Sequence, residues 1–107
     1  MIDKQDVFLL VSFLIGIKTL NSSQQEAIDI ILSTLPQDVT LKKIVEECLP
    51  ENLYRYNLSS EQVINLNSLQ PALAKAVCIP NLELVLEEAR KFQQLLSINR
   101  MNNSKTH

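Results

Sequence analysis

The sequence predicts an all-α fold, a compact bundle of five or six helices over 1–99 with a flexible C-terminal tail at 100–107. Three observations carry this. Leu, Ile and Val supply 35 of the 107 residues, enough apolar side chain for one core without metal or disulfide staples. Gly occurs once, and no Asn-Gly or Gly-Gly pair offers the tight turn that two-residue hairpins favour. Between stretches rich in Ser, Asn and Pro, apolar residues recur at spacings of three and four.

The most apolar stretch is Val7 to Ile17, VFLLVSFLIGI, broken only by Ser12 and Gly16. It is about half a membrane span, and its flank Asp3-Lys4-Gln5-Asp6 is net negative, where a secretory leader wants positive charge. It therefore predicts a core helix from Asp3 to Leu20, and a cytoplasmic protein without integral membrane association. Asp3 is the expected cap, and Asp6 suits the positive end of the helix dipole. A helix apolar on nearly every side should serve as a wall for several others. Gly16 costs helix stability, so close approach of another helix is the expected reason for it.

Ser22 with Gln25, or Ser23 with Glu26, can form a capping box that opens the second helix. Ala27, Ile28, Ile31, Leu32 and Leu35 make its face, Ile30 lies off that face, and Pro36 stops it. Asp38 or Thr40 opens the third helix, with Leu41, Ile44, Val45, Cys48 and Leu49 inward. Lys42, Lys43, Glu46 and Glu47 are its expected wet side. In PENLYRYNL, Pro50 can start a short helical turn. Tyr54, Arg55 and Tyr56 then gather both tyrosines of the chain within three residues. One ring is expected at the core edge and the other on the surface.

Ser59 with Gln62 is another capping box, followed by Val63, Leu66, Leu69, Leu73 and Ala76 on one side. Pro71 cannot sit inside a continuous helix, so a break is predicted near Asn67–Gln70, with Ser68 capping a fresh helix. Asn81 is the expected cap of the last helix. Leu82, Val85, Ala89, Phe92 and Leu96 form its inward stripe, Leu86 and Leu95 widen it, and Glu87 and Lys91 make an i,i+4 pair.

Chemistry is scarce. The single histidine is His107, so a histidine-based triad or paired-histidine metal site is not available within these residues. One Gly excludes a glycine-rich phosphate loop. Cys48 and Cys78 lack zinc or redox spacing, and each is expected as a buried reduced thiol. Adjacent glutamates at Glu46-Glu47 and Glu87-Glu88 point about 100° apart on a helix and form no dyad. Neither an enzyme nor a bound cofactor or metal is expected. A net charge of −2 gives no electrostatic reason for nucleic acid binding.

The expected function is therefore a non-catalytic protein–protein interaction or regulatory module. Its partner is another protein, with a second copy forming a homodimer as one candidate. The expected surface is apolar or hot-spot residues in surplus to the inward stripes: Phe8, Phe13, Ile15, Ile30, Leu84 and Leu95, with Tyr54, Arg55 and Tyr56. An alternative is a helical carrier holding an apolar ligand between the first and last helices. Lower in rank are a helix-turn-helix DNA-binding regulator, whose second helix Ser59–Asn67 lacks Lys and Arg, and peripheral membrane attachment through the first helix.

Overall fold

Asp3 opens the first helix, its carboxylate accepting from the amide of Gln5 at 3.2 Å. The computed structural model describes the backbone of residues 3–105 and side chains as far as residue 96. The elements are α1 (Lys4–Ile15), α2 (Ser22–Thr34), α3 (Leu41–Glu47), a 3-10 helix (Pro50–Arg55), α4 (Ser60–Asn67), α5 (Gln70–Ala76) and α6 (Leu82–Lys105). The described residues are all-helical without strands, and hold seven helices rather than five or six. The short turn at Pro50 is a full 3-10 helix, and the run through Pro71 is two helices.

α1 ends at Ile15 and not at Leu20. Gly16 has φ 74°, the left-handed region that only Gly enters without strain. The amides of Gly16 and Ile17 bond back to the carbonyls of Phe13 and Ser12 at 3.2 and 3.1 Å, closing a Schellman turn. A side chain at Gly16 would meet nothing within 4 Å. Gly16 therefore serves a turn, and no helix approaches it closely.

α2 is capped one residue earlier than expected. Asn21 Oδ1 accepts from the Gln24 amide, and Gln24 Oε1 accepts from the Asn21 amide, both at 2.9 Å. Ser22 and Ser23 fall inside the first turn as a result. Thr40 caps α3 through the Lys43 amide, and Ser59 with Gln62 forms the capping box of α4. The break before Pro71 is present, but Ser68 closes α4 instead of capping α5. Its hydroxyl donates to the Asn65 carbonyl at 2.6 Å. Pro71 lies in the first turn of α5, where its missing N–H costs little.

The core is one cluster in which Leu10, Ile28, Ile31, Leu41, Ile44, Leu66 and Leu73 are completely covered. α1 touches α2, α5 and α6, so it does wall three neighbours, while α2 packs on α4 and α3 on α5. Burial of the aliphatic side chains stabilises the fold by roughly 1.5–3 kcal/mol each before entropy is charged against it.

α6 is the longest element, at 24 residues or about 36 Å. Leu82, Leu86 and Ala89 are buried against the bundle. Beyond Ala89 the stripe loses its cover, and Phe92 and Leu96 are exposed. The polar stretch expected as a tail is helical backbone as far as Lys105; Thr106 and His107 lie outside the described residues. This overhang accompanies a radius of gyration of 14.9 Å, against about 13 Å for an average globular chain of this length. No helix among the described residues is long and apolar enough to cross a membrane.

Candidate functional site

A concavity of about 490 Å³ lies between the C-terminal end of α1 and the middle of α6. Leu9, Phe13, Ile17, Phe92 and Leu96 supply its apolar lining, and Ser12, Lys18 and Gln93 its polar groups. The two phenyl rings meet edge to face, centroids 6.1 Å apart. Above them, Arg90 reaches from α6 to Asp6 at 2.7 Å and pins the two helices. The groove follows from two local facts. Gly16 turns the chain away at the end of α1, and nothing in α6 stops the helix there. Phe92 is left 53% exposed, and Ile17 and Leu96 are also exposed.

Phe92 and Leu96 had been expected to face the core. Helical spacing assigns a residue to a stripe, but not to a covered length of that stripe. Ile17 was expected inside a helix, whereas it follows the turn. Gly16 was the available signal for all three, since Gly after an apolar run marks a helix end. Ile64, on the outer side of α4, is 68% exposed and was also not foreseen.

The expected surface residues do not form one patch. Phe13 belongs to the groove. Phe8 and Ile15 are half-buried against the core, and Lys4 Nζ lies 6.0 Å above the Phe8 ring. Ile30 is half-buried on α2. Leu84 and Leu95 stand exposed on α6, at 58% and 57%. Tyr54 is 79% exposed with Arg55 stacked 5.7 Å from its ring centre, while Tyr56 packs against the core. One tyrosine in and one out is the expected division.

The deepest charged group among the described residues is Glu47, which the spacing places on the wet side of α3 but which is 3% exposed. It sits in the last turn of α3, where the 3-10 helix folds back over it. Tyr56 donates to its carboxylate at 2.7 Å, Lys43 approaches at 3.2 Å and Arg55 at 3.3 Å. The Tyr56 hydrogen bond, aided by the Lys43 and Arg55 charges, holds this carboxyl below its ordinary range despite its burial. Burial and the Glu47 carboxylate push the Tyr56 hydroxyl up to about 12. A general base needs a value near the working pH. Glu47 is moved away from it, and the cluster reads as a clamp between α3 and the 3-10 helix.

Cys48 is buried beside it, its thiol pushed up to about 12 by burial and the Glu47 charge. Cys78 is exposed in the turn after α5, contrary to expectation, because the helix has ended at Ala76. Among the described residues, no group of three or more His, Cys, Asp or Glu could hold a metal ion. The expected Glu87–Lys91 pair is not among the ion pairs of the described residues.

On α4 the side-chain amides of Gln62 and Asn65 are engaged internally. Gln62 bonds Ser59 and Glu26, and Asn65 bonds Asn21 and the Glu61 carbonyl. No protein-family model, no curated protein and no solved structure matches the chain.

Proposed function

We propose that this chain is a non-catalytic protein–protein interaction module that receives an amphipathic helix of a partner protein in the α1–α6 groove. One observation carries the reading. Phe92, Leu96 and Ile17 are exposed together around one apolar cleft, whereas Tyr54 and Ile64 stand exposed away from it. Small proteins seldom leave such a patch uncovered without a partner. A helix presenting residues at i, i+3 and i+4 fits a cleft walled by two helices. Lys18 and Gln93 give polar groups to fix its register. A cytoplasmic location belongs to the same proposal, since an exposed free cysteine suits a reducing compartment.

The second reading is a carrier of a small apolar ligand, and the same cleft supports it by volume. Small-molecule sites span about 300–1,000 Å³. Two measurements separate the readings. Partner capture from the native host should be lost in Phe92→Glu and Ile17→Glu, with the circular dichroism of both variants unchanged. Equal capture by the wild type and both variants removes the groove as the binding face. Native mass spectrometry of freshly purified protein should give the bare chain mass; an added apolar mass, absent from the variants, decides for the carrier.

A further inference from the structure

We propose that two copies of this chain associate, antiparallel and across a two-fold axis, through the outward face of α6. Leu84 then meets Leu95 of the second copy, and Glu88 meets Lys91. The proposal deepens the interaction reading by naming a second copy as a partner. It uses a different face from the groove, so either can fail alone.

The four residues are spaced by four, three and four, and at 100° per residue they fall within an arc of about 60°. That arc lies opposite Leu82, Leu86 and Ala89, which face the core. All four side chains are exposed. The spacing reads the same from both ends. The midpoint between Leu84 and Leu95 is also the midpoint between Glu88 and Lys91, between positions 89 and 90. A single two-fold axis opposite that point therefore satisfies both kinds of pair, and satisfies each twice. Such self-complementarity is what an isologous interface requires.

Charge selects this arrangement over its competitors. A parallel, in-register pair sets Glu88 against Glu88 and Lys91 against Lys91. An antiparallel pair slipped by one turn sets Glu88 against Leu95, or Lys91 against Leu84. Only the arrangement centred between 89 and 90 matches leucine to leucine and anion to cation. Within one copy, neither Glu88 nor Lys91 takes part in an ion pair among the described residues, whereas their neighbour Arg90 is held by Asp6. A seam of four positions per copy covers less than the roughly 1,600 Å² of a standard interface, so the association is weak and concentration-dependent.

The test is sedimentation of the full chain over a wide concentration range. Self-association should weaken about threefold or more in Glu88→Lys and in Lys91→Glu. It should return in the double variant, whose pairs are the same with signs exchanged. Ile17→Glu, which alters the groove, should leave it unchanged. In a Cys78→Ser background, mixing Leu84→Cys with Leu95→Cys should give a disulfide dimer. Leu84→Cys alone should not, because the two copies of position 84 stand about 16 Å apart along the seam. A strict monomer, a double variant as weak as either single one, association lost in Ile17→Glu but not in the charge variants, or equal cross-linking by Leu84→Cys alone would each overturn the proposal.

Discussion

Glu47 shows how one side chain can decide a local architecture. A buried carboxylate is costly unless its lone pairs are filled, and here a hydroxyl and two cations fill them. The hydrogen bond from Tyr56 joins α3 to the chain beyond the 3-10 helix. Because the folded value of Glu47 lies below its ordinary 4.5, its contribution is complete above that pH and is lost as pH falls through the folded value. Glu47→Gln should lower the unfolding free energy by about 1–3 kcal/mol at pH 7. The difference from wild type should shrink in denaturant titrations near pH 3. Tyr56 acts at the other limb. Its value is raised from 10.0 to about 12, so its contribution is whole below the lower figure and fades as pH climbs through the higher. The alternation of charge and apolar residue in α3 did not reveal this clamp, since the groups that cover Glu47 come from Arg55 and Tyr56, one element later.

Among the elements, those with a single strong local signal were readable in advance. Asp3 and Ser59 each bond an amide two or three residues on, and this needs no tertiary contact. Pro71 likewise forced a break wherever the helix lay. Where two signals competed, the sequence left the outcome open. Asn21, Ser22 and Ser23 can all cap, and the turn set by Gly16 delivers Asn21 into that role. Gly16 reads from its apolar surroundings as an interior glycine of a helix running to Leu20. Its φ of 74° makes it the end. Gly16→Ala should therefore cost about 1–2 kcal/mol in chemical denaturation, although there is open space for the methyl group. A neutral result would mean that the left-handed turn is not what closes α1.

For the molecule as a whole, stability and binding are assigned to different lengths of the same helices. Leu10 is fully covered in the middle of the core, and Leu10→Ala should cost about 2–5 kcal/mol. Leu95→Ala, on the uncovered part of α6, should change stability by no more than about 0.5 kcal/mol. Comparable losses in thermal melts of the two variants would show that the far part of α6 is packed. The uncovered part supplies the groove wall through Phe92 and Leu96, while the outward seam runs along α6 on both sides of Ala89.

The sequence by itself determined that this chain is helical, where several helices start, and which residues have the spacing to share a face. Those properties rest on backbone dihedrals and hydrogen bonds that reach no further than one turn. Only the tertiary structure decided that Glu47 and Tyr56 are drawn inward, that Cys78 stays out, and that Phe92 and Leu96 are left on the surface. Coverage of a stripe depends on the length and placement of a helix more than seventy residues away in the chain, and no local pattern encodes that.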